Sequence, residues 1–139
     1  IGAAKRLKNG KVTGIDVWSP YVLSGNSPDA AKANAKLEGV AEKVRIDSGD
    51  ARKLVYPDNH YDVVISSLAL HNMPEREERD QAVREMFRVL KPGGQLAIFD
   101  LFRSGEYAEV LQASGAQGLS LSKTMFLWCV PGRIVSARK

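Results

Sequence analysis

The stretch REMFRVLKPGGQLAIFD, residues 84–100, contains both kinds of secondary structure that this chain alternates. Apolar side chains spaced three to four residues apart predict a helix over residues 75–90. This stripe consists of Ala82, Val83, Met86, Phe87 and Leu90. KPGG ends the helix, and QLAIFD (95–100) is an apolar run typical of a buried parallel strand. A helix that leads through a glycine turn into a buried strand indicates one repeat of an α/β fold.

Similar units lie on both sides of this stretch. KVTGID (11–16), KVRIDSGD (43–50) and YDVVIS (61–66) are predicted strands, and the apolar run in the last of them indicates burial on both faces. A helix begins after Ser27, with Pro28 at its first position. Beyond residue 100 the pattern predicts a helix over 107–114 and strands over 118–124 and 133–137. We therefore predict a single α/β domain, residues 1–139, with a Rossmann-like, mostly parallel sheet and helices on both faces.

The composition of the 139 residues is that of a globular protein, with 44% hydrophobic and 26% charged residues. The net charge of +4 includes no basic run, so the sequence favours no nucleic-acid partner. No stretch approaches the roughly 20 apolar residues of a membrane span, and the start lacks a signal-peptide pattern. The one cysteine, Cys129, excludes an internal disulfide and a CxxC metal site. We expect a cytoplasmic protein with no metal and no membrane partner.

In sheets of this kind, ligands bind at the carboxyl ends of the strands. The positions there are Asp16, Asp50, the turn from Ser66 to His71, and Asp100. The Asp16 carboxylate could accept hydrogen bonds from both hydroxyls of a ribose, or it could face water or cap a turn. The Asp50 carboxylate could accept an adenine amino proton, or it could act as a helix N-cap.

Three segments together resemble the class I S-adenosylmethionine-dependent methyltransferases, in particular the small-molecule branch called type 11. They are VTGIDVWS, VRIDSGDARKLVYPDNHYDVVISSLALHNM and REMFRVLKPGGQLAIFD. They occur in the family's order and spacing over residues 11–100, about two-thirds of the chain. RVLKPGG before a buried strand is the most diagnostic piece. The resemblance implies S-adenosylmethionine as the cofactor, methyl transfer as the activity and a small-molecule methyl acceptor as the partner.

The resemblance also implies roles for matching positions near the adenosyl group. Asp16 would bind the ribose, and Val17 and Trp18 would lie beside the adenine. Asp50 and Ala51 would bind the edge of the adenine, through the carboxylate and the backbone N–H respectively.

Further matching positions follow the strand at residues 61–66. Ser66, Ser67 and Leu68 would line the methionine end of the cofactor, and His71 would lie where the substrate side begins. His71 is a candidate general base, because an imidazole ordinarily exchanges its proton near neutral pH. The alternative is a ring that only packs or bonds to the backbone.

Other notable residues are expected to be structural. Gly93 and Gly94 would allow the tight reversal between helix and strand. His60 is expected in a surface loop. Trp128 and Cys129 are expected to pack at the far end of the sheet, and a hydrophobic lining for an apolar substrate is the alternative.

The chain begins at Ile1, and IGAAKRLKNG reads as the end of a helix closed by Gly10. The family's first strand and glycine-rich loop would precede this point, so we expect a sheet that is incomplete at the N-terminus. We also expect an upstream segment in the intact protein, and an isolated chain that binds S-adenosylmethionine poorly and is inactive.

Two other functions are compatible with parts of the pattern. An acid at a strand end also binds the ribose of NAD, so a fragment of a dehydrogenase is one alternative. A non-catalytic binding module with the methyltransferase fold is the other. RVLKPGG and the position of Asp50 favour methyl transfer over the dehydrogenase.

Overall fold

The computed structural model describes residues 1–22, 24–127 and 129–139 of the chain. The chain forms two compact units, Ile1–Asp50 and Ala51–Lys139. Trp128, which was expected to pack at the far end of the sheet, lies outside the described residues. Its neighbour Cys129 is exposed, so the expected packing is wrong for the cysteine.

The first unit combines a parallel strand pair with short helices. In chain order it contains α1 (Gly2–Arg6), β1 (Val12–Asp16), α2 (Pro28–Leu37), a 3-10 turn (Ala41–Lys43) and β2 (Val44–Ser48). Ser27 caps α2 as expected: its hydroxyl accepts a hydrogen bond from the Ala30 N–H at 3.1 Å. β1 and β2 pair in parallel with Asp16 opposite Ser48, so the two strands end together.

The second unit contains the longer sheet. Its elements are β3 (Tyr61–Ser67), a 3-10 turn (Leu70–Asn72), α3 (Arg76–Val89), β4 (Leu90–Leu101), α4 (Ser104–Ala113), β5 (Gln117–Leu121), β6 (Met125–Leu127) and β7 (Val130–Arg138). The strand order is β3-β4-β7-β5, and β6 also pairs with β7. β3 and β4 are parallel and are joined through α3, whereas β7 runs antiparallel to its neighbours. These strand–helix–strand units confirm the predicted α/β class.

The boundaries of β4 and α4 differ from those predicted. β4 begins at Leu90 instead of residue 95, because the KPGG segment is included in the strand as an irregularity: Tyr61 pairs with Leu90 and Val63 with Gln95. The Gly93 N–H donates to the Lys139 carbonyl at 2.8 Å, and the Lys139 N–H donates to the Gly94 carbonyl at 3.2 Å. α4 begins three residues earlier than predicted, at Ser104. β6 was not predicted at all.

One apolar cluster joins both helices of the second unit to a single face of its sheet. Its buried members are Leu70, Ala82, Val83, Met86, Phe87, Leu90, Leu96, Ile98, Tyr107, Val110, Leu111, Val135 and Ala137. Val64 of β3 packs against this cluster, whereas Val63 and Ile65 point the other way and are 58% and 61% exposed. The predicted burial of this strand on both faces is therefore not found within the described residues.

Gly93 and Gly94 occupy their positions for different reasons. Gly93 has a φ of +78°, a conformation that L side chains rarely adopt, although a Cβ there would meet open space. At Gly94 a Cβ would lie 2.8 Å from both Leu90 Cδ1 and the Lys91 carbonyl oxygen. The first glycine is required by the backbone conformation and the second by close packing.

Arg79 is a buried charged side chain that joins three segments of the second unit. Its Nη1 donates to the carbonyls of Met73 and Pro74, both at 2.8 Å. Its Nε and Nη2 donate to the Glu106 carboxylate on α4 at 3.3 and 3.0 Å. Burial acts to raise the pKa of Glu106, but the hydrogen bond and charge of Arg79, with further positive charges nearby, bring the pKa below its ordinary value. Arg79 thereby ties the segment before α3 to α4.

We predict that alanine and asparagine substitutions rank in opposite order of destabilisation at Gly93 and at Gly94. Gly93→Ala should lower the free energy of unfolding by about 1–2 kcal/mol because of the left-handed backbone, and Gly93→Asn should cost less because asparagine tolerates this conformation. Gly94→Ala should cost about 1–3 kcal/mol through overpacking, and Gly94→Asn should cost more. Urea denaturation measures all four variants. The same ranking of alanine and asparagine at both positions would contradict this assignment.

We predict that Arg79→Met lowers the free energy of unfolding by about 3 kcal/mol, because two carbonyls and a carboxylate lose their buried donor. The matched control is Arg103→Met. It removes a more exposed guanidinium, whose Nη1 donates to the same Glu106 carboxylate at 3.3 Å, and it should lower the free energy of unfolding by less than about 1 kcal/mol. Denaturant unfolding compares the two variants. Equal losses of stability in the two variants would show that Arg79 does not tie the segment before α3 to α4.

We also predict that the contribution of Glu106 to stability disappears in acid. Because the folded state lowers the pKa of this carboxyl group, its contribution is complete above the ordinary glutamate value and is lost as pH falls through the folded value. The difference in free energy of unfolding between the wild type and Glu106→Gln should therefore shrink on acidification. A difference that stays constant or grows in acid would refute this sign.

Candidate active site at the strand ends

In the first unit, two carboxylates lie at the ends of neighbouring strands. Asp16 is opposite Ser48 in the parallel pairing of β1 and β2, and the Gly49 N–H donates to the Asp16 carbonyl at 3.0 Å. Asp50 follows Gly49 directly. The structure therefore brings the two acids to one edge of the sheet in this unit.

The Asp16 carboxylate orders the turn that follows β1 and keeps capacity for further donors. One oxygen accepts from the Trp18 N–H at 2.8 Å, and the other accepts from the Asn26 side-chain amide at 3.2 Å. Trp18 has a φ of +56°, and its indole N–H donates to the Ser48 hydroxyl at 2.9 Å. The turn-capping role considered as an alternative is therefore present. A carboxylate has about four acceptor positions, so this role leaves room for two more donors.

In the second unit, Ser66 and Ser67 end β3 with their side chains on opposite faces. Ser66 shares the face of Val64, and its hydroxyl oxygen is buried with no hydrogen-bond partner among the residues that the structure describes. Ser67 is exposed on the other face, together with Val63 and Ile65. The two hydroxyls therefore cannot contact a ligand from the same side of the strand.

The turn after β3 is held by the backbone and by the core. Leu68 has a φ of +53°, and its N–H donates to the Phe99 carbonyl of β4 at 2.9 Å. Leu70 is buried in the apolar cluster. His71 follows on the short 3-10 turn, and its backbone N–H donates to the Asp100 carboxylate at 3.1 Å. A non-glycine residue in the left-handed region is strained, and such strain is concentrated at functional turns.

His71 also bonds to Asp100 through its ring. Nδ1 lies 2.5 Å from one carboxylate oxygen, which also accepts from the Leu101 N–H at 2.8 Å. The second oxygen accepts from the Tyr107 hydroxyl at 3.4 Å as well as from the His71 backbone. Asp100 is completely buried, whereas the His71 side chain is 28% exposed. The arrangement is that of a histidine oriented by a buried carboxylate, the geometry expected of a general base.

The predicted site residues are thus divided between the two units. The first holds Asp16, Val17, Trp18 and Asp50, and the second holds Ala51, Ser66, Ser67, Leu68 and His71. No group of three or more metal-ligating side chains occurs within residues 1–22, 24–127 and 129–139.

Sequence reasoning noted Asp100 as an acid at a strand end but did not pair it with His71. The available signal was that Asp100 and the turn from Ser66 to His71 were both predicted at strand ends. The supporting roles of Tyr107 and Arg79 were not predicted, because the sequence pattern placed both residues in helices and gave no sign of their distant partners. Among the described helices, none has the length and apolarity required to cross a membrane.

Comparisons with known proteins identify the family of this chain. The family model described as Methyltransferase domain (Methyltransf_11) matches residues 2–98. Methyltransferase GfsG from Streptomyces halstedii is 37% identical over 91 residues, which is 66% of this chain and 32% of that protein.

Two solved structures share the fold. A SAM-dependent methyltransferase from Methanosarcina mazei aligns with a TM-score of 0.74 and 19% identity, over 93% of this chain and 82% of that chain. The [4+2]-cyclase SpnF aligns with a TM-score of 0.77 and 22% identity, over 99% of this chain and 68% of that chain.

The matched region includes β1, β2, β3, α3 and most of β4, the elements that carry the residues described above. The chain spans about a third of the length of GfsG. With a family model matching more than two-thirds of its residues, the chain belongs to the methyltransferase domain family.

Proposed function

We propose that the protein containing this chain transfers a methyl group from S-adenosylmethionine to a small-molecule acceptor. The observation that carries the proposal is the pair of acids at neighbouring strand ends, Asp16 and Asp50, in a chain of this family. Asp16 retains acceptor capacity after its turn bonds are counted, which is what two ribose hydroxyls require.

The residues of the first unit fit the adenosyl part of the cofactor. Asp16 would accept from the ribose hydroxyls, and Trp18, held by its bond to Ser48, would offer an aromatic surface beside the adenine. Val17 is exposed next to it and would contact the adenine as well. Asp50 would accept from the adenine amino group.

The residues of the second unit would contact the edge of the adenine and the methionine end of the cofactor. Ala51 would donate its N–H to an adenine nitrogen. Ser66 has a buried hydroxyl without a partner among the described residues, a group that a ligand's polar atom would satisfy. Ser67 would donate from the opposite face, and Leu68 would wall the methionine end.

When bound, S-adenosylmethionine supplies an electrophilic methyl group attached to a positively charged sulfur. The task of the protein is then to align the acceptor with this group and to exclude water, and such positioning can lower the barrier by several kcal/mol. His71 would receive the proton of the acceptor. Its ring is held in one orientation by Asp100, as a base at a fixed site requires.

The two alternative functions explain fewer of these observations. A dehydrogenase would use an acid such as Asp16 for the ribose of NAD, but the family model matches a methyltransferase domain over residues 2–98. In a non-catalytic module, the contact between His71 and the buried carboxylate of Asp100 would be structural only. A cytoplasmic location is part of the proposal, in keeping with a single cysteine in the chain.

We predict that Asp16→Asn weakens the binding of S-adenosylmethionine to the complete protein by about tenfold or more, because a charged acceptor of two hydroxyl groups is lost. Asparagine keeps one oxygen for the Trp18 N–H, and its amide nitrogen can donate to Asn26 once the Asn26 amide turns its oxygen toward it. Isothermal titration calorimetry measures the affinity. Asp29→Asn, at an exposed acid on α2, is the control and should bind as the wild type does.

Unchanged affinity of Asp16→Asn would show that the ribose assignment is wrong. Saturable binding of NAD in place of S-adenosylmethionine would favour the dehydrogenase.

A further inference from the structure

We propose that Asp100 is a positioning residue that holds His71 as the Nδ1–H tautomer and so presents Nε2 to a methyl acceptor whose nucleophilic atom carries a proton. This inference rests on the proposed function and defines its class of acceptor. Asp100 cannot touch a substrate itself, because it is completely buried. Any effect of Asp100 on the reaction must therefore pass through the imidazole.

The donors around Asp100 determine the tautomer of His71. A carboxylate has about four acceptor positions and no proton to give. Four donors reach it: the backbone N–H groups of His71 and Leu101, the Tyr107 hydroxyl and the ring nitrogen Nδ1. Because Asp100 can only accept at the 2.5 Å contact, Nδ1 carries the hydrogen. A neutral imidazole has one N–H, so Nε2 is left with a free electron pair.

The ring lies across the boundary between the core and the accessible surface. Its Nδ1 edge faces a buried carboxylate, while 28% of the side chain is exposed. Nε2 lies on the side of the ring away from Asp100, and we infer that it is the nitrogen that an acceptor can reach.

Tyr107 keeps the carboxylate in place from the opposite side. It is completely buried, and burial followed by the negative charge of Asp100 raises the pKa of its hydroxyl well above the ordinary range. The hydroxyl therefore keeps its proton and remains a donor to Asp100. The other charged groups that act on Tyr107 are Arg79 on α3 and Glu106 on α4, which are bonded to each other.

This geometry fits an acceptor that must lose a proton. The nucleophilic atom gives its proton to Nε2 of His71 and uses the electron pair to bond the methyl carbon. The carbon–sulfur bond of the donor breaks with its electron pair staying on sulfur, which becomes neutral. His71 becomes an imidazolium whose Nδ1–H stays bonded to Asp100, and the carboxylate stabilises the new charge until the proton passes to solvent. A tertiary amine or a thioether carries no such proton, so the class that this site fits is an acceptor with an O–H, S–H, N–H or acidic C–H group at the nucleophilic atom.

The test is nitrogen-15 NMR of the imidazole rings in the complete protein labelled at histidine, with His71→Gln to identify the His71 signals. We expect a protonated Nδ1 and a bare Nε2 in neutral His71. A proton on Nε2, or a mixture of tautomers, would overturn the proposal. The measurement needs no methyl acceptor and no substitution at Asp100.

Reactivity tests the role of Asp100. Diethyl pyrocarbonate reacts with the free electron pair of a neutral imidazole, and peptide mass analysis reports the rate at each histidine. We expect Asp100→Asn to slow the reaction of His71 about tenfold or more, because an amide can donate to Nδ1 and reverse the tautomer. His60, an exposed residue that packs edge-on to Tyr61 at 4.7 Å, is the internal control and should react unchanged.

A milder substitution covers the risk that Asp100→Asn fails to fold. Tyr107→Phe removes one donor but keeps the buried ring, so the carboxylate stays and His71 should keep its tautomer with a smaller loss of reactivity. Equal reactivity of His71 in the wild type and in both variants would refute the positioning role.

Calorimetry with S-adenosylmethionine separates this inference from the proposed function. His71→Gln and His60→Gln should both bind the cofactor as the wild type does. Failure of the wild type to bind would refute the proposed function while leaving the tautomer result intact. Normal binding with the wrong tautomer would refute only the inference.

Discussion

The buried carboxylate of Asp100 is the constraint on which the strand-end region of the second unit depends. Removing a charge from water costs several kcal/mol unless donors surround it. Here the donors come from three segments of the chain: His71 in the turn after β3, Leu101 at the end of β4, and Tyr107 on α4. Satisfying one carboxylate therefore fixes the positions of a turn, a strand end and a helix at the same time.

Arg79 complements this arrangement from the other end of the same segment. It binds the carbonyls of Met73 and Pro74, which directly follow the 3-10 turn, and its charge is balanced by Glu106 on α4. The segment from Leu70 to Pro74 is thus held by a buried leucine, a carboxylate and a guanidinium. A side chain on such a segment has little freedom, and a base gains efficiency when its orientation needs no adjustment during the reaction.

Backbone strain recurs where the strands end. Trp18 follows β1, Leu68 follows β3 and Phe102 follows β4, and all three are bulky residues with positive φ. Each such residue costs of order 1–3 kcal/mol. Local hydrogen bonds offset part of this cost: the Trp18 N–H donates to Asp16, and the Leu68 N–H donates to Phe99. Strain that is retained next to candidate ligand-binding residues is consistent with turns shaped for a ligand rather than for stability alone.

Local patterns in the sequence determined the α/β class, the cap at Ser27, the helix that became α3, and the carboxylates at strand ends, because periodicity and capping are properties of neighbouring residues. Only the tertiary structure decided the features that depend on distant residues. KPGG belongs to β4 because Gly93 and Gly94 bond to Lys139, and Val63 and Ile65 are exposed because the helices of their unit pack on one face. His71 became an oriented imidazole because parallel pairing of β3 and β4 brings it to Asp100, a contact across 29 residues that no local pattern encodes.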